Sequence, residues 1–201
     1  MRGLKMKSIQ KSILMLTLAG TLTLSGCGYN TLQVKDEAVN AAWSEVQNQY
    51  QRRLDLVPNL VNVVKGYATH EEKVLTEVTQ ARANVAGIKV DKEVLQDPEL
   101  FKKYQEAQAQ MTTALSRLIA VSENYPALKA NEQFKDLQVQ LEGTENRIAV
   151  ARNRYITTVQ DFNSYARQLP QAVTAKVIGM DIKQNFSADQ AAQSAPTVSF
   201  N

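Results

Sequence analysis

Apolar residues recur every three or four positions through most of this chain, and that spacing is the strongest constraint on its fold. The first such stripe averages just under 3.6 residues per step over 25 residues, the period of a helix that buries one face. Its members are Val39, Trp43, Val46, Tyr50, Leu54, Val57, Val61 and Val64. No strand-like alternation of apolar and polar residues appears. The sequence therefore predicts an all-α fold.

Three further stripes predict three further helical segments. The last averages 3.5 residues per step over 35 residues, the heptad period that accompanies coiled-coil-like packing. The second stripe is Val74, Val78, Ala81 and Val85, and the third is Leu100, Tyr104, Ala107, Met111, Leu115, Leu118, Val121 and Tyr125. The last is Phe134, Leu137, Leu141, Thr144, Ile148, Ala151, Tyr155, Thr158, Phe162, Tyr165 and Leu169.

Local signals place the helix ends. Pro58 predicts a kink or a restart in the first helix, because an interior proline removes a backbone hydrogen bond. Thr69 and Glu72 have the spacing of a capping box, which predicts a new helix there. With that break the domain has four helices, and with a continuous bent helix through Val85 it has three long ones.

Later junctions carry similar signals. Asp97-Pro98 predicts a capped helix start, Tyr125-Pro126 a helix end, and Asn131 the cap of the last long helix. After Pro170, residues 172–182 could form a short helix. Residues 187–201 lack large apolar groups until Val198, and we predict a disordered tail there.

The N-terminus has the order of a secretory signal peptide. Four basic residues precede position 12, and residues 12–24 form an apolar run shorter than the roughly 20 residues of a membrane-spanning helix. Leu24-Ser25-Gly26-Cys27 then resembles the lipobox of bacterial lipoproteins. That resemblance implies diacylglycerol and palmitate on Cys27 and removal of residues 1–26. The start of translation, Met1 or Met6, stays open.

These features predict four regions: a signal peptide at 1–26, a lipidated tether at 27–35, a helical domain at 36–186 and the tail at 187–201. The predicted location is the exported side of the cell envelope. An Asp directly after the cysteine would resemble an inner-membrane retention signal. This chain has Gly28 there instead, which favours the outer membrane in an organism that has one. The alternative is a single-pass inner-membrane protein. As the chain's only cysteine, Cys27 leaves none for a disulfide.

The charge of the mature chain argues against nucleic acid as a partner. The formal net charge is +3, but four of the 23 basic residues lie before position 12, and no acidic residue occurs before Asp36. Without residues 1–26 the chain has 19 basic and 20 acidic residues. Binding a polyanion requires clustered excess Lys and Arg.

The sequence offers little for catalysis or metal binding. His70 is the only histidine, and its neighbours Glu71 and Glu72 point about 100° apart on a helix, so they do not form a ligand set. Catalysis by a nucleophile that a histidine activates would also have to use His70, because the chain has no other histidine. Glu142 and Glu145, one turn apart, could serve acid–base chemistry but more often form interhelical ion pairs. We predict no enzyme, metal or cofactor.

Two charged motifs flank the stripes and form the candidate interaction site. We predict that Arg53 pairs with Glu142 or Glu145 and that the pair sets helix register. The alternatives are a solvated face and a partner-binding surface. The candidate residues are Arg52, Arg53, Asp55, Glu142, Glu145 and Arg147.

Several motifs in register resemble the LemA family from Tyr29 to about Phe186. They are Tyr29-Asn30-Thr31-Leu32, Ala42-Trp43-Ser44-Glu45-Val46, Gln49-Tyr50-Gln51-Arg52-Arg53, Asp55-Leu56-Val57-Pro58-Asn59-Leu60-Val61, Tyr67-Ala68, His70-Glu71, Ala81-Arg82, Tyr125-Pro126, Leu141-Glu142-Gly143-Thr144-Glu145-Asn146-Arg147-Ile148, Ala151-Arg152 and Tyr155. The resemblance implies an antiparallel, up-and-down helical bundle tethered near its N-terminus, with no enzymatic activity to transfer. Some members have an uncleaved transmembrane helix where this chain has a lipobox.

Two functions remain open. The first is a structural or interaction module that binds envelope proteins through its helix faces. The second is an envelope protein that binds a small apolar ligand or lipid between its helices. The continuous stripes favour the first, and a pocket wider than about 300 Å³ would favour the second. The sequence leaves the oligomeric state open.

Overall fold

A computed structural model describes residues 2–89 and 92–186, with side chains from residue 28 onward except those of residues 92 and 93. Within these ranges the chain is helical and contains no strand, which confirms the all-α prediction. The helices are α1 (Arg2–Tyr67), α2 (Glu72–Ala86), α3 (Pro98–Val121), α4 (Pro126–Ala130), α5 (Glu132–Ala166) and α6 (Gln171–Val177), with 3-10 turns at Lys92–Leu95 and Ser122–Asn124. The predicted tail at 187–201 lies outside the described residues.

Helix α1 continues through Pro58 without a restart. Proline has no N–H to donate to the carbonyl of Leu54, four residues earlier. The Nε of Arg82, on α2, donates to that carbonyl at 3.2 Å instead. A side chain from a neighbouring helix therefore replaces the backbone hydrogen bond that Pro58 removes.

The break between α1 and α2 is confirmed, but the predicted capping box is wrong. Helix α2 begins at Glu72 with Glu71 at its N-cap and no side-chain cap. Thr69 therefore lies outside the helix, too early to cap it. The intervening turn is closed by the N–H of Glu71, which donates to the carbonyl of Ala68 at 3.1 Å.

The caps of the two later helices are confirmed. The Asp97 carboxylate accepts from the backbone N–H groups of Glu99 and Leu100, with Pro98 in the first turn of α3. The Asn131 side chain accepts from the N–H of Phe134 at 2.9 Å. Helix α3 ends at Val121, before the predicted Tyr125, because a 3-10 turn follows it.

The structure divides into two compact units, and the larger contains residues 42–156 and 184–186 of the described chain. Its apolar core combines residues of α1, α2, α3, α4 and α5. The predicted stripe of α5 is buried from Phe134 to Tyr155. The heptad spacing therefore identified the buried face of this part of α5.

The other unit contains residues 2–41 and 157–183. Here Phe162 is buried as predicted, but Val159 and Ala166 are buried in place of Thr158 and Tyr165, which are half-buried. Leu169 is 80% exposed, so its assignment to the stripe was wrong: α5 ends at Ala166, and Leu169 is no longer on the helix.

Ion pairs join the segments of this unit. The Nζ of Lys183, a buried side chain, lies 2.7 Å from the carboxylate of Asp36, and Lys35 pairs with Asp161. The Asn163 side chain also accepts from the backbone N–H of Lys183 at 2.8 Å and donates to the backbone carbonyl of the same residue at 2.9 Å. The segment after α6 is thus held by side chains of α1 and α5.

No helix in the described part of the chain combines the length and hydropathy needed to cross a membrane.

Candidate functional site

Arg53 is a buried cation in the C-terminal part of α1, with only 1% of its surface exposed. It follows Tyr50 by three residues and precedes Val57 by four, so it lies on the same helix face as these buried residues. A buried charge is costly unless it is paired and hydrogen-bonded. The neighbouring helices supply those partners.

Four of the five N–H donors of Arg53 have acceptors. One Nη1 hydrogen goes to the hydroxyl of Thr112 at 2.9 Å and the other to a carboxylate oxygen of Glu145 at 3.0 Å. Nη2 donates to the backbone carbonyl of Gln108 at 3.4 Å and to the side-chain oxygen of the same residue. The guanidinium carbon also lies 5.0 Å from the centre of the Tyr50 ring. Arg53 thereby joins α1 to α3 and α5.

One buried donor in this network, Nε of Arg53, has no acceptor among the described residues. The side-chain oxygen of Gln108 accepts from Arg53, and its amide group lies beside the Tyr104 hydroxyl. An unpaired buried donor typically costs about 1–3 kcal/mol.

A cavity of about 310 Å³ adjoins this network within the larger unit. Its wall includes the side chains of Arg53, Gln108 and Glu145, and residues of α1, α3 and α5 form most of the rest. The complete lining is Tyr50, Arg53, Gln105, Gln108, Ala109, Thr112, Thr113, Glu145, Ile148, Ala149, Arg152 and Phe186. The charged groups in this wall are two arginines and one glutamate.

Burial raises the pKa of the Tyr50 hydroxyl, and the positive charges of Arg152 and Arg53 partly oppose that rise. Arg152 also hydrogen-bonds this hydroxyl. The pKa of Tyr104 is raised as well, first by burial and then by Tyr50. Both phenols are therefore held in the protonated form over a wider pH range than free tyrosine.

Phe186 forms one wall of the cavity and is anchored in an aromatic cluster. Its ring centre lies 5.1 Å from that of Phe101 and 5.5 Å from that of Tyr155. The Tyr155 hydroxyl donates to the carbonyl of Gln184 at 2.7 Å, which holds the preceding backbone in place. The guanidinium carbon of Arg152 lies 4.4 Å from the centre of the Phe186 ring. The segment 184–186 thus helps to shape the cavity.

The structure contains one of the two ion pairs predicted for Arg53, the pair with Glu145. Glu142 is exposed and accepts from the Gln138 amide at 3.1 Å.

The other motif residues do not join this network. Arg52 is exposed, Asp55 accepts from the Gln51 amide at 2.8 Å, and Arg147 donates to the buried Thr144 hydroxyl at 3.3 Å. Whether the six residues form an interaction site remains a prediction.

Sequence reasoning missed the contribution of α3 to this site. Tyr104, Gln108 and Thr112 are spaced by four residues and form one row along that helix. A glutamine next to the buried stripe was the available signal, since buried polar side chains nearly always have partners. Arg152 was noted as part of a motif but was not assigned to the site.

The two other singled-out residues lie elsewhere. His70 is exposed in the turn between α1 and α2, and no cluster of potential metal ligands occurs in the described part of the chain. Cys27 lies within the backbone of α1, and its side chain is outside the described set. Its predicted lipidation is therefore a proposal.

Comparison with known proteins matches residues 42–200 to the LemA family. The chain belongs to the LemA family. This confirms the resemblance seen in its motifs, including those that contribute Arg53 and Glu145.

Curated relatives are distant. Magnetosome protein MamQ 2 of Paramagnetospirillum magneticum is 25% identical over 176 residues, which cover 79% of this chain and 64% of the relative. Magnetosome protein MamQ of Magnetospirillum gryphiswaldense is 23% identical over 191 residues, or 87% and 70% of the two chains. Protein LemA of Metamycoplasma hominis is 24% identical over 135 residues, or 67% and 58%. The chain therefore spans less than two thirds of the first of these relatives.

Proposed function

We propose that this LemA-family chain is a membrane-anchored lipoprotein of the cell envelope whose helical domain is a structural or interaction module. The observation that carries the proposal is the order of a basic segment, a 13-residue apolar run and Leu24-Ser25-Gly26-Cys27. Two or three acyl chains on one residue give stable anchoring, whereas one chain is marginal. The biochemical role of the domain within the envelope is not specified by this proposal.

Residues 36–186 form the working domain in this proposal, and their helices pack as an antiparallel, up-and-down bundle. The shared core of α1, α2, α3 and α5 and the Arg53 network between α1, α3 and α5 support that arrangement. A well-packed bundle presents its outer faces to partners, as an interaction module requires. Two of the relatives are named as magnetosome proteins.

The anchor is tested by replacing Cys27 with Ala and following labelled palmitate and membrane fractionation. The wild type should incorporate label and sediment with membranes, while Cys27→Ala should carry no label and be either uncleaved or released. Ser25→Ala is the matched control, since a small residue is kept before the cysteine, and it should behave as the wild type. Equal labelling of Cys27→Ala and wild type would contradict the proposal.

The interaction role is tested by photo-crosslinking from an outer helix face. Val139 and Val150 are both exposed on α5, and eleven residues are three helical turns, so they share one face. A crosslinker at either position should give the same discrete adducts with envelope proteins, while one at the buried Val159 should give none. Only diffuse adducts, equal at all three positions, would contradict an interaction module on this face.

The second function left open by the sequence, binding of a ligand between helices, is favoured by one observation. The cavity beside Arg53 measures about 310 Å³, at the lower end of the range for small-molecule sites. Its wall contains charged and amide groups, which suits a polar ligand better than the apolar molecule first envisaged.

A further inference from the structure

Helix α6 and the residue before its cap carry an exposed apolar patch, which consists of Leu169, Val173 and Val177. The three side chains are spaced by four residues, and each exposes 59% or more of its surface. Val173 and Val177 lie one turn apart on the same face of α6. Single exposed aliphatic side chains are ordinary, whereas several on one short helix point to a surface that a partner or a membrane covers.

The patch lies beside the predicted lipid attachment site. Helix α6 begins at Gln171, and a side-chain carbon of Gln171 lies 3.5 Å from the position that a Cβ on Gly28 would occupy. Gly28 directly follows Cys27, and both ends of this contact belong to the smaller unit. A bilayer that holds acyl chains on Cys27 would therefore lie next to the start of α6.

The charge around the patch suits an anionic lipid surface. Arg167 and Lys176 are exposed and stand next to patch residues in the sequence, and no acidic residue occurs between Asp161 and Asp181. Tyr29, the second residue after the predicted attachment site, is also exposed. Tyrosine is enriched at the membrane–water interface, and basic side chains beside an apolar face attract anionic headgroups.

We propose that α6 lies on the lipid bilayer, with the apolar patch inserted at its interface and Arg167 and Lys176 facing anionic headgroups. A helix of seven residues is too short to cross a membrane, so it would lie along the surface. A second copy of the chain suits the patch less well, because a stable dimer interface buries roughly 800 Å² on each partner, more than three aliphatic side chains expose. This membrane contact rests on the proposed anchor at Cys27 and adds a second point at which the smaller unit meets the bilayer.

Quenching of tryptophan fluorescence by brominated lipid tests the contact in the full chain. The protein is extracted from membranes with its own anchor and reconstituted into vesicles of phosphatidylglycerol and phosphatidylcholine, with or without bromine on the acyl chains. Val173→Trp and Val177→Trp each place a probe in the patch, and the wild type gives the background from buried Trp43, its only tryptophan. The added emission should fall at least about twofold in brominated vesicles, because an interfacial helix reaches the acyl boundary.

Ala38→Trp is the matched control within the smaller unit. Ala38 is exposed on α1, about 15 Å along the helix axis from Gly28. Interfacial insertion is about 5–10 Å deep, so the added emission of this probe should change little. Unquenched patch probes in vesicle-bound protein, or equal quenching of the control, would overturn the proposal.

The headgroup contact is tested by combining Arg167→Gln with Lys176→Gln. In the Val177→Trp chain, quenching should be stronger with phosphatidylglycerol than in phosphatidylcholine alone, and the two substitutions should remove that difference. Lys65→Gln with Lys135→Gln makes the same change of charge at exposed positions of the larger unit and should preserve it. A difference that survives the first pair of substitutions would overturn the role of these two cations.

Failure of the anchor is distinguished in the same preparation. The intact mass shows whether Cys27 carries diacylglycerol, and flotation shows whether the chain stays on the vesicles. Lipidated, vesicle-bound protein with unquenched patch probes would overturn the contact of α6 and leave the anchor standing. An unmodified Cys27 would overturn both, because the contact rests on the anchor.

Discussion

The coupling between Arg53 and Glu145 is the most specific energetic consequence of the structure. We consider Arg53→Met, which keeps the aliphatic volume, and Glu145→Gln, which removes the charge. Removing one partner of a buried pair generally costs about 3–5 kcal/mol. The Glu145 side chain is 36% exposed and can be rehydrated, so we expect a smaller cost for Arg53→Met, about 2–3 kcal/mol.

Glu145→Gln should cost as much, about 2–3 kcal/mol, because it leaves the buried Arg53 without its counter-ion. The bonds of Arg53 to Thr112 and Gln108, and an amide oxygen that can still accept, keep the cost below the full range. Hydrogen bonds to charged groups contribute about 1.5–3 kcal/mol, and partial exposure lowers that range. The expected coupling energy is therefore about 1–2 kcal/mol, typical of residues in one network.

Chemical denaturation followed by circular dichroism measures this coupling in a double-mutant cycle. Glu142→Gln is the matched control, since Glu142 lies one turn away, is exposed and bonds Gln138. Its coupling to Arg53→Met should stay below about 0.5 kcal/mol, as for independent sites. Coupling near zero with Glu145, or equal coupling with Glu142, would refute the account of Arg53. A lasting change of helix packing in Arg53→Met would support the predicted role of the pair in register.

Three further outcomes follow from the packing. Ile148→Ala should lower the free energy of unfolding by about 2–4 kcal/mol because it empties a buried site, and exposed Gln140→Ala by less than ~0.5; equal losses would mean that the buried face of α5 is misassigned. Arg82→Met should lower the free energy of unfolding by about 1 kcal/mol, because it removes the bond from Arg82 to the Leu54 carbonyl. The loss should be smaller in the Pro58→Ala background, where a backbone N–H is restored opposite Leu54. An equal loss in both backgrounds would contradict the replacement of the backbone bond by Arg82. Burial raises the pKa of Tyr50, Tyr104 and Tyr155, so the contribution of the protonated phenols to stability is complete below the ordinary tyrosine pKa of about 10 and is lost as pH rises through the raised values. Denaturation at alkaline pH should show this loss of stability, and Tyr155→Phe should make the loss smaller. A pH profile of Tyr155→Phe identical to that of the wild type would contradict the role of Tyr155.

Much of the fold could be predicted because the deciding signals are local. The stripes of Val39 to Val57 and Phe134 to Tyr155 record which helix face is buried, and Asp97 and Asn131 satisfy N–H groups only two or three residues away. Where the local signal competes with another arrangement, prediction failed. Thr69 and Glu72 have the spacing of a capping box, but the chain closes a turn through Ala68 and Glu71 instead.

The site was only half predictable because its parts lie far apart in sequence. The charges of Arg53 and Glu145 suggested a pair, but Gln108 and Thr112 resemble ordinary polar residues until α3 packs beside α1. Likewise, nothing near Pro58 indicates that Arg82 supplies the missing donor. Such long-range partners depend on helix packing, which spacing along one helix does not encode.

The intact mass of the protein extracted from the cell envelope tests the central claim, membrane anchoring through Cys27, most directly. The account predicts a chain that starts at Cys27, lacks residues 1–26 and carries the added mass of a diacylglycerol group. An intact N-terminus with unmodified Cys27 would contradict it and would favour a single-pass membrane protein instead.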